Sequence, residues 1–72
     1  MEFDTIEYVK SHGREPRGRG GWAFSDVRNP SHDVPNGEPG GFFWAPSGTY
    51  AEAKRAAREH YRGKASVVYV QP

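Results

Sequence analysis

The sequence contains no cysteine among its 72 residues. That excludes a disulfide framework and every thiolate metal site, and it fits a reducing, cytoplasmic compartment. No apolar run approaches the roughly 18 residues a membrane span needs. Glu2, Asp4 and Glu7 stand where a secretory signal would be basic and then apolar, so the chain is expected neither to span a membrane nor to be secreted. Apolar residues are scarce for a globular domain, 35% against 26% charged, with a mean hydropathy of -0.90. A chain of this length buries only about 60% of the surface that its unfolded form exposes, which excludes a large enzyme core. Net charge is small as well. Ten Lys and Arg against nine Asp and Glu leave +1, which predicts no strong global field toward nucleic acid or membrane.

What is present is aromatic. Two Trp, four Tyr and four Phe supply the buried area that the aliphatic residues lack. The charges are also unevenly placed: residues 1–9 hold acids and no base, whereas Lys10, Arg14, Arg17, Arg19 and Arg28 face only Glu15 and Asp26 over the next stretch. An acidic start is followed by a basic, glycine-rich neck.

In Phe3 to Gly13, Asp4 and Glu7 have the spacing of a capping box, Phe3 and Tyr8 occupy the staple positions, and Gly13 is a helix stop. A helix this short needs something to dock on. The competing expectation is an extended arm that orders on a partner, since Phe3, Ile6, Tyr8 and Val9 are costly to expose. REPRGRGG, from Arg14 to Gly21, reads as a linker or loop. Trp22 and Phe24 then alternate with Ala23, Ser25 and Val27 as in a half-buried strand, with both rings directed to the core. Asn29 to Gly41 is too rich in Pro, Gly and Asn for regular structure and is expected to be a long mobile hairpin loop with its tip near Asn36 and Gly37.

Phe42 to Ala45 reads as a second strand stopped by Pro46, with one large ring left on the face away from any helix. Thr49 and Glu52 form a T-x-x-E capping box that opens a helix through about Tyr61, closed at Gly63. Ala53, Ala56 and Ala57 give that helix a small-residue face, and Lys54, Arg55, Arg58, Glu59 and Arg62 take the solvent side. Ala65 to Val70 is a β-branched strand. The expected fold is α+β: a three-stranded, antiparallel-type sheet with one helix on a face, in the order β-β-α-β. The expected organisation is an N-terminal arm or short helix with the neck over 1–20, and a single domain over 21–72 with a long loop at 28–41. Trp22, Phe24, Ala53, Ala57 and Val68 are expected to be structural. Some of Phe43, Trp44, Val67 and Tyr69 must face solvent, the arm or a partner.

Catalytic patterns are weak. Ser31, His32 and Asp33 are consecutive and cannot converge as a hydrolase triad. His12, His32 and His60 lack ligand spacing, so no metal is expected, and no cofactor. The glycines before Trp22 precede a strand, whereas phosphate loops follow one and open a helix. RGRGG-W does interleave bases with an aromatic, as single-strand binders do. Trp22, with Arg55, Arg58 and Arg62 on the helix, is therefore a possible nucleic-acid surface. The plainer alternative is that Trp22 is core and the helix bases are a wet face.

The stretch F-F-W-A-P-S-G-T-Y-A-E-A-K-R-A-A-R-E-H-Y followed by A-S-V-V-Y-V resembles, in its element order, the very small host-takeover proteins of lytic bacteriophages. Among these are inhibitors of bacterial RNA polymerase, and several anti-CRISPR proteins are similar. The resemblance spans roughly Gly21 to Val70. It implies a non-catalytic protein that occludes or remodels a host complex, with RNA polymerase as the expected partner, through sigma displacement, occlusion or antitermination; the chain is expected to be a monomer. No contact residue carries over, and the +1 charge departs from the acidic DNA mimics among such inhibitors. The residues expected to make the contact are Phe3, Ile6 and Tyr8, seated in a groove, and Arg14, Arg17 and Arg19, paired with acids. The alternatives are a single-stranded nucleic-acid-binding module and an inhibitor of another host complex.

Overall fold

In the computed structural model, which describes residues 1–72 apart from the Pro46 side chain, six elements follow one another. They are β1 (Glu2–Asp4), α1 (Ile6–His12), β2 (Arg19–Ser25), β3 (Phe42–Thr49), α2 (Tyr50–Tyr61) and β4 (Val67–Val70). The best-determined boundary is the start of α2. The Thr49 hydroxyl accepts the Glu52 backbone N–H at 3.1 Å, and the Glu52 carboxylate accepts the Thr49 N–H at 2.8 Å. The capping box forms in full and satisfies two otherwise orphaned donors. The Thr49 N–H and the Thr49 hydroxyl both donate to the Glu52 carboxylate and, aided by Arg19 and Arg55, hold it below the usual carboxylate range.

The strands form one sheet in the order β1-β4-β2-β3. β2 pairs antiparallel with β3 on one side and with β4 on the other, and β1 pairs parallel with β4. The α+β class stands, but the sheet is mixed and four-stranded rather than three-stranded and antiparallel. The extra strand is the N-terminal segment, whose Glu2, Phe3 and Asp4 lie opposite Val67, Val68 and Tyr69. Acidic residues suit this short edge, where charge discourages further pairing. A second departure is β3, which runs through Pro46 to Thr49. β3 is the other edge, where a missing N–H needs no ladder partner.

Register sorts the side chains. Trp22 lies opposite Ala45, Phe24 opposite Phe43 and Val70, and Phe3 opposite Val68. These residues form the core with Ala53, Ala57 and Tyr61 of α2, and with Tyr8 of α1. Phe24, Ala57, Val68 and Val70 are completely buried. The small alanines let α2 lie close on the aromatic floor, as their spacing predicts.

The N-terminal segment is therefore part of the fold. Phe3 meets Phe24 edge-on at 6.0 Å, and Tyr8, a core residue, lies 5.9 Å from Trp22. The expected Asp4–Glu7 box does not form. Asp4 accepts the Ile6 N–H at 3.0 Å, and Glu7 approaches Lys10 and Arg28 instead. Gly13 does end α1, at φ 74. The 28–41 loop lacks helix and strand, as expected, and it is fastened at several points. The Gly40 N–H donates to Asp26, the Ser25 hydroxyl to the Gly41 carbonyl, and the Trp44 N–H to the Asn36 side-chain oxygen. Asn36 and Gly37 are not at a free tip, because the Gly37 carbonyl lies 2.9 Å from His60 Nε2.

Three outcomes are expected. Thr49→Ala loses about 1 kcal/mol of stability with the cap, read by urea unfolding. Tyr50 and Tyr61 are both pushed up from 10.0 to about 12, chiefly by burial, then by Glu15 and Tyr8 at Tyr50 and by Asp26 at Tyr61. The unfolded chain gives up these protons near pH 10, whereas the folded chain holds them to about pH 12. Stability is therefore intact below pH 10 and falls as pH rises through that interval. The buried Tyr61 hydroxyl has no hydrogen-bond partner. Tyr61→Phe therefore leaves neutral-pH stability within about 0.5 kcal/mol or raises it and moves the alkaline unfolding midpoint upward.

Candidate functional site: an arginine cleft beside an exposed tryptophan

The sheet has two faces and only one carries α2. On the other, register places Trp44 beside Ala23, and Phe42 beside Ser25 and, beyond it, Tyr69. Trp44 is 57% exposed, the most exposed large apolar side chain among the described residues. It is the open end of a ladder of rings: Trp44 stacks on Phe42 at 5.3 Å, and Phe42 meets His32 at 4.7 Å.

Next to Trp44 lies a cleft of about 220 Å³. It is lined by His12, Arg14, Arg17, Arg19 and Trp44, with Tyr8, Trp22, Ala23, the glycines Gly20 and Gly21, and Gln71 and Pro72. The basic neck is held there by its backbone. The Gly18 carbonyl accepts the Tyr50 N–H at 3.0 Å, and Gly18 itself turns at φ 83, a conformation open to glycine at little cost. A bulge between Gly20 and Trp22 interrupts the pairing with β3 and redirects the strand. Gly20 and Gly21 add no side chain to the cleft.

The charged side chains of the cleft are all basic. No aspartate or glutamate lines it, and none of Arg14, Arg17 or Arg19 is ion-paired among the described residues. His12 stacks on Tyr8 at 4.0 Å and adds a ring nitrogen to the wall. The acids of the N-terminal segment are engaged elsewhere. Arg28 approaches Asp4 at 3.6 Å and Glu7 at 3.9 Å, and its guanidinium sits 5.1 Å over the Tyr69 ring.

The residues singled out from the sequence divide accordingly. Arg14, Arg17 and Arg19 converge on the cleft. Phe3 and Tyr8 do not form an accessible arm with Ile6: Tyr8 is core, Phe3 is half-buried against it, and only Ile6 is exposed. Trp22 is 6% exposed, and its indole N–H donates to the Gly48 carbonyl at 3.1 Å, so it supports the cleft and leaves stacking to Trp44. Arg55 and Arg58 on α2, and Arg62 at its C-cap, lie outside the cleft. Arg58 covers the Phe3 ring at 5.4 Å, and Arg62 pairs with Glu59 at 2.8 Å. Trp44 is the site residue that sequence reasoning did not assign, although the run Phe42-Phe43-Trp44 already required one ring on the uncovered face.

The remaining chemistry is sparse. Ser31, His32 and Asp33 form a turn in which the Ser31 hydroxyl accepts the Asp33 N–H. His12, His32 and His60 stack on different rings, Tyr8, Phe42 and Phe43. No group of three or more His, Asp or Glu side chains close enough to hold a metal occurs among the described residues. No helix is long and apolar enough to cross a membrane.

Comparison with protein-family models, with curated proteins and with solved structures finds no match to this chain. The geometry alone bears on function.

The two tryptophans separate spectroscopically. Trp44→Phe removes the long-wavelength, acrylamide-quenchable emission and leaves the blue, shielded emission of Trp22. It changes stability by less than about 0.5 kcal/mol, as expected for an exposed position.

Proposed function

We propose that this protein is a non-catalytic binding module that holds single-stranded nucleic acid in the arginine cleft, with an unpaired base stacked on Trp44. The observation that carries this reading is the convergence of Arg14, Arg17 and Arg19 beside Trp44 in a cleft lined by no Asp or Glu side chain. Guanidinium groups match phosphate with forked hydrogen bonds, and an aromatic face accepts any unpaired base. The small net charge of +1 makes the attraction local to the cleft rather than a property of the whole surface.

A second reading is a protein partner, bacterial RNA polymerase among the candidates. It is favoured by the exposure of Trp44 next to three arginines, since Trp and Arg are the residues that anchor protein interfaces. Inhibition of the polymerase would then act through the cleft face rather than through an N-terminal arm, whose Phe3 and Tyr8 rings already pack in the core.

Salt and nuclease separate the readings. Three phosphate contacts on a single strand predict a log–log salt dependence with a slope of about -2. Arg17→Ala reduces the magnitude of that slope by about 0.7, and Trp44→Ala weakens binding with the slope unchanged. Capture from a bacterial lysate that survives nuclease and raised salt and brings down polymerase subunits would instead establish the protein partner. No binding to any single strand in dilute salt would overturn the nucleic-acid reading.

A further inference from the structure

We infer that the site takes one unpaired base flanked by its phosphates, and that the rest of the open sheet face is closed to further bases by the protein's own side chains. The inference rests on the nucleic-acid reading above and goes beyond it to the length and form of the ligand. A four-stranded sheet with aromatics on its open face invites comparison with platforms that stack several successive bases. Here the three large rings of that face are not equivalent.

Phe42 is between His32 at 4.7 Å and Trp44 at 5.3 Å, so both of its neighbours along the ladder are already rings of the protein. Tyr69 carries the Arg28 guanidinium at 5.1 Å, and Arg28 is held in turn by Asp4 and Glu7. Trp44 alone keeps a large free surface. Charge draws the same boundary. The three unpaired arginines lie on the Trp44 side, whereas Glu2 and Asp4 lie on β1, the edge strand opposite β3, where they disfavour a phosphate backbone crossing the sheet. A strand bound at Trp44 therefore continues into solvent and not across β4.

The backing rings also prepare the site. Phe42, itself backed by His32, stacks on the Trp44 indole, and the Asn36 side chain fixes the Trp44 backbone N–H at 3.0 Å. Less side-chain freedom is lost when the base arrives. The favoured ligand is a short unpaired segment, such as an extruded or gap nucleotide, rather than a long single strand.

The test is a titration with oligothymidylates of increasing length, from the dinucleotide up, following Trp44 emission in the wild type and in His32→Ala, with circular dichroism as the folding control. Affinity is expected to rise to a plateau at roughly four nucleotides, the short end of the range for single-strand binders, and then to stay level. His32→Ala exposes the Phe42 ring, moves the plateau to longer oligomers and tightens their binding by about tenfold, one added stack. Affinity that climbs steadily beyond that length in the wild type would overturn the one-base site while leaving the nucleic-acid reading intact. Wild-type binding at every length without Trp44 quenching would also overturn it. Absence of binding at all lengths would remove both.

Discussion

The indole of Trp22 is the constraint on which this structure turns. Its ring is packed between Tyr8 of α1 and Tyr50 of α2, at 5.9 and 5.0 Å, and its N–H is satisfied by the Gly48 carbonyl of β3. Three elements are thus located relative to β2 by one side chain. A buried indole donor left without a partner would cost about 1–3 kcal/mol, so the Gly48 contact also fixes which way the ring can face. Because strand side chains alternate, directing Trp22 toward α2 sends Ala23 to the opposite face. The antiparallel register with β3 then places Trp44 beside Ala23. The exposure of Trp44 is the complement of the burial of Trp22.

The neck inherits its position from the same place. The bulge at Gly20/Trp22 and the bond from Tyr50 to the Gly18 carbonyl tie Arg14 to Arg19 to the end of the sheet where Trp44 and Gln71 emerge. A flexible basic linker would spread its charges through solvent. Fastened at its base, it concentrates them in one cleft. Stability and site are coupled here, since the aromatic cluster that replaces an aliphatic core is also what aims the arginines.

Much of this was legible residue by residue and little of it was legible as an assembly. The T-x-x-E box and the alanine face of α2 are local signals, and both form as written. Trp22 and Phe24 could be phased because small residues alternate with them. Phe42, Phe43 and Trp44 could not, since three successive rings satisfy either phase and only pairing with β2 decides which one is exposed. β1 was hidden for another reason: three residues, two of them acidic, carry no strand pattern, and their partner β4 lies at the other end of the chain. The tethering of the 28–41 loop depends on Asn36, Asp26 and Ser25 reaching groups remote in sequence. The convergence of the arginines on Trp44 is non-local in the same way. Composition marked the neck as basic, and the fold supplied the aromatic beside it.

The most direct measurement is a two-dimensional amide NMR titration of the labelled protein with a short oligothymidylate. The account predicts shifts concentrated on the Trp44 indole N–H and the amides of Arg17, Arg19, Gly20 and Gly21. The Trp22 indole N–H and the β1 amides should stay in place. Shifts centred on β1, or a spectrum unchanged at saturating oligonucleotide, would contradict it.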